Sequence, residues 1–460
     1  MFYKRSGKSW RGSAFSPEGL LLGSFLLAII AGMFLLKLPL SSVHGALRWI
    51  DALFLSTSAF CVTGLSVIDV GRDLTVWGKI FLLLFIQIGG LGIMTFSLFF
   101  YFFFNVRIPV ANRLSIGAMT NKIDTRTLGR VLFFVVSLTL TVELCGALLL
   151  YTHFLSLHPP LHAFFSAIFH AVSAFNNAGF SLYSDSLMVF QRDFFVQAII
   201  MSLIIMGGLG FIVMREAVDQ LLARRSKRKN FLSVHSKTAL TGTLFLIVTG
   251  TILFWGTEQN LCFRGMGFPW QVLNAMFLAV TARTAGFNTV DIGALSGASL
   301  IVLIVLMLIG GCSGSTAGGM KVNTIGVLAA FIRQKLTGEP MARLFNRKIP
   351  QTIIDRALIV FFMFLFFLVI AVFVLEVTEM CGVGCGTDGF VRVFFEMVSA
   401  FGTVGLSTGI TAQVTDGGKL VLIFLMFLGR VGPLSLVVLL LSRRRKKAAV
   451  EFVEEDVLVG

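Results

Sequence analysis

The residues in this chain best placed to do chemistry are four glycines, and the chemistry is that of bare backbone carbonyls. Each closes a seven-residue phrase: Ser-Ala-Phe-Cys-Val-Thr-Gly (58–64), Ser-Ala-Phe-Asn-Asn-Ala-Gly (173–179), Val-Thr-Ala-Arg-Thr-Ala-Gly (280–286) and Ser-Ala-Phe-Gly-Thr-Val-Gly (399–405). The glycines Gly64, Gly179, Gly286 and Gly405 lie 115, 107 and 119 residues apart. Each phrase ends an apolar segment too short to cross a bilayer, so its carbonyls lie at membrane depth. Such groups survive only inside protein or against a water-filled cavity. A half-helix ending there turns its negative dipole end inward. Extended carbonyls beyond four such ends could replace the hydration shell of a cation, and glycine allows the backbone angles this needs. Close helix packing of the small-xxx-small kind would explain one copy. Four copies in register favour a pore.

The elements that must position these phrases follow from composition. Mean hydropathy is +0.89 and 56% of residues are hydrophobic. The stretches Ile80–Val106, Phe194–Met214, Thr238–Thr257 and Ile292–Met320 carry no Asp, Glu, Lys or Arg. About 20 apolar residues suffice for one crossing, so the chain reads as a polytopic membrane protein. Gly19–Leu36 reads as a retained helix rather than a signal peptide, because Lys37-Leu38-Pro39 follows without a small-residue cleavage site.

The formal charge of +15 does not indicate nucleic acid, because 27 of the 38 Lys and Arg fall in five patches: Lys4–Arg11, Arg107–Arg130, Arg215–Lys237, Arg333–Arg356 and Arg443–Lys447. The positive-inside rule places these in the cytoplasm, where they meet anionic lipid. Eight spanning helices with both termini inside result. The predicted order in each period is an outer helix (18–38, 129–153, 236–257, 355–377), a half-helix (50–61, 162–175, 270–282, 390–401) and an inner helix (78–104, 191–214, 298–331, 419–441). The fold class is therefore all-α and polytopic, with four such repeats around a pseudo-fourfold pore. The repeats span 1–110, 111–228, 229–340 and 341–460 in one integrated membrane domain. Roughly 25 residues past each of the four glycines comes a second recurring phrase, at 88–92, 206–210, 309–313 and 428–432.

Thr-Gly-Leu-Ser (63–66), Ser-Ala-Phe-Asn-Asn-Ala-Gly-Phe (173–180), Thr-Ala-Arg-Thr-Ala-Gly-Phe (281–287), Gly-Ser-Thr-Ala-Gly-Gly-Met-Lys (314–321) and Ser-Ala-Phe-Gly-Thr-Val-Gly-Leu-Ser (399–407) resemble the Trk/Ktr/HKT superfamily of potassium transporters. The resemblance covers essentially the whole chain and is strongest to the KtrB-type membrane subunit. TrkH-type relatives carry two additional helices before the first repeat, where this chain has room for one. The resemblance implies a selectivity filter built from Val62, Thr63 and Gly64; Asn177, Ala178 and Gly179; Thr284, Ala285 and Gly286; and Thr403, Val404 and Gly405. The carbonyls of Thr63, Ala178, Ala285 and Val404 would hold potassium there. In plant relatives a serine at the first glycine goes with sodium permeation, so four glycines imply potassium selectivity.

The run Gly310, Gly311, Cys312, Ser313, Gly314, Ser315, Thr316, Ala317, Gly318, Gly319 is poor helix material, and it breaks the inner helix of repeat three. The resemblance implies an intramembrane gate here, including Lys321 and Arg430; a passive hinge is the alternative. A phosphate-binding loop is excluded because Met320 separates Gly319 from Lys321 and Val322 follows. Arg430 replaces the second glycine of the pairs that include Gly90, Gly208 and Gly311. An intramembrane arginine faces a cavity or a partner; the resemblance implies either an electrostatic barrier or an anchor that donates to loop carbonyls. Glu396 and His170, each nine residues before a filter glycine, are read as bonding to neighbouring backbone in preference to tuning the site's field. Asn176 and Asn177 could brace the filter loop, and Glu143 and Glu376 are packing or interface groups. The six cysteines indicate neither metal nor an assured disulfide, although Cys381 and Cys385 share one external loop.

The predicted function is potassium uptake through a gated pore, driven by the electrochemical gradient, with sodium dependence left open. No triad, nucleotide motif or metal cluster argues for an enzyme, and no cofactor is expected on this chain. The resemblance implies a homodimer in the cell inner (plasma) membrane, seated on a cytosolic RCK-type nucleotide-binding regulatory subunit. An ion-coupled secondary solute transporter is the rival reading. It would need inverted repeats, whereas these four share one orientation.

Overall fold

A computed structural model describes residues 17–92, 125–225, 232–379 and 387–432. Repeat one holds α1 (Pro17–Lys37), α2 (Trp49–Phe60) and α3 (Val76–Gly90); repeat two holds α4 (Thr125–Phe154), α5 (Pro160–Phe175) and α6 (Phe194–Arg225). Repeat three holds α7 (Val234–Glu258), α8 (Phe268–Thr281), α9 (Gly297–Leu308) and α10 (Val322–Thr337); repeat four holds α11 (Gln351–Glu379), α12 (Thr387–Gly402) and α13 (Asp416–Val431). The half-helices α2, α5, α8 and α12 have 12, 16, 14 and 16 residues. At about 1.5 Å per residue none can cross a core about 30 Å thick.

Four described helices are long and apolar enough to cross: Leu132–Phe154, Phe194–Gln220, Val234–Glu258 and Gln351–Glu379. The predicted inner helices 78–104 and 419–441 are described only as far as 92 and 432, so the count of eight spans lies partly outside the described residues. So do Cys381, Cys385 and the basic tail. The predicted inner helix 298–331 is divided, as its glycines require, into α9 and α10 with an extended loop between them. The outer helices turn Phe133, Leu144, Leu244, Phe245, Phe366 and Phe373 outward, each more than half exposed. This is the surface a lipid-facing helix presents. Between α10 and α11 a two-residue β-ladder pairs Arg343 with Lys348 around a turn whose Phe345 and Asn346 have positive φ.

Each repeat ties its inner helix's N-cap to the end of its outer helix, which fixes where the half-helix between them can lie. In repeat one Thr75 caps Gly78 N–H (3.2 Å) and donates to Leu40 O (2.5 Å). In repeat two Asp193 accepts from Val196 N–H (3.1 Å) and pairs with His153. In repeat three the buried Glu258 accepts from Ser296 Oγ (2.6 Å), and in repeat four the buried Glu379 accepts from Thr415 Oγ1 (2.6 Å). Capping side chains satisfy helix-end donors, and here they also set the spacing of the repeats.

The first and last repeats close on each other through charge. Lys419 of α13 donates to Asp51 of α2 at 2.8 Å, with side-chain exposures of 5% and 12%. Arg48 also holds Asp51 at 2.7 Å, and it lies 3.4 Å from Asp416. Removing one member of a buried pair strands its partner's charge, at a cost of about 3–5 kcal/mol. Because Arg48 still partners Asp51, Lys419→Met is expected near the low end, about 3 kcal/mol. Thermal unfolding in detergent would read this as a lowered midpoint, and Asp51→Asn in the same background should recover part of it.

Candidate functional site

The four glycine phrases meet. A Cβ built on Gly64 would meet Ala178 O, one on Gly179 would meet Ala285 O at 2.7 Å, one on Gly286 would meet Val404 O at 2.7 Å, and one on Gly405 would meet Thr63 O. The order of contacts runs one, two, three, four and back to one, a closed ring of four glycines and four carbonyls. All four glycines have φ between +70° and +93°.

The half-helices end the same way. In repeat one Val62 N–H donates to Ala59 O (3.1 Å) and Thr63 N–H to Ser58 O (2.8 Å). Repeats two and four repeat this pair from Asn177 and Ala178 (3.1 and 2.7 Å) and from Thr403 and Val404 (3.1 and 2.8 Å). This is a Schellman ending, with the left-handed residue supplied by Val62 (φ 56°), Asn177 (58°) and Thr403 (50°). Repeat three varies it: Thr284 is left-handed (65°), but Ala285 N–H reaches Thr281 O at 3.0 Å. A β-branched residue in this region is an outlier, costing about 1–3 kcal/mol. Three of the four repeats carry one.

Side chains then lock the ring. Ser58 Oγ accepts from Gly64 N–H and Ser399 Oγ from Gly405 N–H, both at 3.1 Å. In a planar trans peptide the C=O opposes the N–H, so these bonds turn the Thr63 and Val404 carbonyls away from the hydroxyls. Ser173 and Thr281 instead donate to Phe180 O (2.8 Å) and Phe287 O (2.5 Å), just past their glycines. Glu396 is fully buried and accepts from Ser407 Oγ (2.5 Å), Thr408 N–H (3.0 Å) and Thr411 Oγ1 (2.9 Å). His170 holds the equivalent Ser181 Oγ at 3.0 Å. Asn176 donates to Glu143 (2.8 Å) and Gln87 (3.1 Å), tying the second glycine phrase to α4 and α3.

The second recurring phrase packs close. A Cβ on Gly89, Gly207 or Gly429 would strike the carbonyl of Phe60, Phe175 or Phe401 respectively. Inner helices therefore press directly on half-helix ends in repeats one, two and four.

In repeat three the corresponding stretch leaves the helix. Gly310 N–H donates to Met320 O (2.8 Å) and Val322 N–H to Gly311 O (3.1 Å), forming the neck of a loop. Helix α6 kinks at Gly210 (φ 81°, ψ 160°), which frees backbone groups of its own. The loop uses them: Cys312 N–H donates to Gly208 O (2.9 Å), and Phe211 N–H donates to Gly314 O (3.3 Å). Non-helical backbone in a membrane must be satisfied by protein in this way. The loop lies against the glycine phrases, with Thr316 Oγ1 donating to Phe175 O (3.3 Å) and Gly318 close on the Thr403 side chain. Lys321 donates to Ala317 O (2.5 Å) and Gly318 O (3.2 Å). Arg430 donates to Thr316 O and to Gly89 O, so its guanidinium bridges the loop to α3. Cys312 Sγ also lies 3.3 Å from His235 Nε2.

A family model described as TrkH, a cation transport protein, matches residues 28–447. The chain belongs to the TrkH family. Curated relatives match it along nearly its whole length. It is 38% identical to the potassium/sodium uptake protein NtpJ of Enterococcus hirae, over 97% of each chain. It is 37% identical to the Ktr system potassium uptake protein B of Vibrio alginolyticus, over 100% of this chain and 98% of the other. Bacillus subtilis Ktr system potassium uptake protein B is also 37% identical, over 92% of each. Among solved structures, the potassium transporter TrkH from Vibrio parahaemolyticus has the same fold, with a TM-score of 0.71 and 21% identity over 95% of this chain and 86% of that one. The chain is thus a multi-pass membrane protein of a cation-transport family and not of an enzyme family.

The residues expected to form a filter lie in and beside the ring, and Gly310–Gly319, Lys321 and Arg430 are joined by hydrogen bonds in a loop packed against it. What the sequence did not disclose is the left-handed residue two places before each glycine, the kink at Gly210 and the identity of Arg430's two acceptors. The glycines of 206–210 carried a signal for the kink. No periodic signal marks the others.

Proposed function

We propose that this chain is a potassium uptake subunit with one conduit through its four repeats. The ring of glycines and carbonyls is the observation that carries the reading. Thr63, Ala178, Ala285 and Val404 each place a carbonyl beside a neighbouring repeat's glycine, a set suited to replacing a potassium ion's water. The names of the Enterococcus, Vibrio and Bacillus relatives support potassium, and the first of them names sodium as well.

The ion enters where four half-helix C-termini direct their negative ends and needs no chemical step. A negative-inside potential contributes about 2.3 kcal/mol per charge per 100 mV. Below the filter the loop from Gly310 to Gly319, held by Arg430 and Lys321, is the gate. In this reading two copies pair in the plasma membrane with both termini in the cytoplasm. A cytosolic RCK-type subunit carries nucleotide sensing, since the chain shows no nucleotide-binding fingerprint. The use of "Ktr system" in the relatives' names supports a partner.

Potassium flux in proteoliposomes, compared with sodium and lithium, tests the proposal. Potassium-selective flux is expected. Absence of ion-selective flux from folded protein, with a regulatory ring supplied, would overturn it.

A further inference from the structure

Four of the chain's six histidines, His153, His158, His162 and His170, belong to repeat two. His158 lies in the connection between α4 and α5, and His162 in the first turn of α5. Their ring centres are 4.8 Å apart with planes at 55°. Imidazoles bind zinc at about 2.0–2.1 Å from nitrogen, which puts each ring centre about 3.2 Å from the ion. Two such rings at a tetrahedral angle stand about 5 Å apart, close to the spacing observed.

His162 is exposed and His158 half-buried, so an ion can reach both. His158 Nε2 lies 3.0 Å from the Tyr183 hydroxyl, which leaves Nδ1 as its free nitrogen. A ligand histidine held through its other nitrogen is the arrangement that orients metal ligands. Tyr183 leads inward. Its ring stacks on His158 (5.8 Å) and on His170 (5.2 Å), and its N–H donates to Ser181 Oγ at 3.0 Å. His170 holds that same hydroxyl at 3.0 Å, two residues past Gly179.

Two other charges lie near the pair. Lys79 donates to Gly71 O at 2.7 Å and keeps its charge, which opposes a cation at His162 and holds the affinity down, while Asp193 is paired with His153. No group of three His, Cys, Asp or Glu converges among the described residues. The ion therefore keeps water in its remaining positions and exchanges readily.

We propose that His158 and His162 form an exchangeable site for a divalent transition cation of the zinc class, and that Tyr183 links its occupancy to the pore loop of repeat two. The flux part rests on the potassium-conduit reading; the binding part does not.

The test is Zn2+ titration of the full chain, by calorimetry in detergent and by potassium flux in proteoliposomes with Zn2+ on either side. Zn2+ should bind, and should slow flux only from the side opposite the basic loops. His162→Ala should raise the half-effective concentration at least about ten-fold with flux in zinc-free buffer unchanged. Tyr183→Phe should weaken binding by about ten-fold as an outer partner. Absent binding, or binding indifferent to His162→Ala, overturns the site. Histidine-dependent binding that leaves flux unchanged overturns the link to the pore loop. Histidine-dependent binding in a protein that passes no potassium under any condition leaves the site standing and refutes the conduit.

Discussion

Serine at Gly64 is expected to lower the potassium-to-sodium flux ratio at least about ten-fold in a protein that still folds. Two separable effects act on the side chain. Gly64 has φ +93°, a conformation that costs an L residue about 1–2 kcal/mol. The new Cβ would also meet Ala178 O and lie 3.2 Å from Gly179 Cα. The first effect bears on stability and the second on the ring, because the carbonyl that must yield is one of the four proposed to hold the ion. A ten-fold change in selectivity corresponds to about 1.4 kcal/mol, less than one displaced carbonyl could account for. Gly45 supplies the control. Its φ is +92°, and a Cβ there would meet nothing within 4 Å. Gly45→Ser should therefore carry the same backbone strain and leave the flux ratio alone. If Gly64→Ser keeps the wild-type ratio, the ring does not select the ion. If both variants lose it equally, strain and not the carbonyl contact is the cause.

The part of this architecture legible in the sequence is the part that repeats. Gly64, Gly179, Gly286 and Gly405 announce themselves because the same backbone problem is solved four times, and a φ near +80° leaves glycine as the ready solution. Half-helix bounds were readable within about three residues, since apolar length in a bilayer has few interpretations. The partners that lock each repeat were not readable, because each uses different chemistry for the same task. The tie between outer helix and inner cap is a hydroxyl on a carbonyl at Thr75, an imidazole pair at Asp193 and a carboxylate at Glu258 and Glu379. The brace past the ring glycine is His170 in one repeat and Glu396 in another. The reading of Glu396 and His170 as bonding to neighbouring backbone holds for Thr408 N–H on Glu396 and Ser166 O on His170, but their other partners, Ser407, Thr411 and Ser181, are side-chain hydroxyls. Asp51 and Lys419, 368 residues apart, could be paired only once the ring was closed. At Val62, Thr284 and Thr403 residue type pointed the wrong way, since β-branched side chains disfavour the left-handed conformation they adopt.

Lysine at Arg430 separates the two roles that an intramembrane arginine could play beside the ring. Arg430 reaches two carbonyls on different elements, Thr316 O in the loop and Gly89 O in α3. A planar guanidinium with five fixed donors can span two such acceptors, whereas an ammonium is a compact point charge. Arg430→Lys therefore keeps the charge and gives up the bridge. If the bridge holds the loop, Arg430→Lys should raise potassium flux in the absence of an activating partner nearly as far as Arg430→Gln does, by about ten-fold or more. That is the size of effect expected from losing charge-assisted hydrogen bonds of about 1.5–3 kcal/mol. If the charge alone bars the ion, Arg430→Lys should resemble the wild type and only Arg430→Gln should conduct more. Lys321 sharpens the comparison because it also offers an ammonium to this loop, at Ala317 O and Gly318 O. Its donors serve carbonyls three and four residues back in its own segment, so it stiffens the loop's exit without fastening the loop to another helix. Lys321→Gln should accordingly raise basal flux less than Arg430→Lys does. The reverse order would place the loop's fastening at its neck and not at its contact with α3.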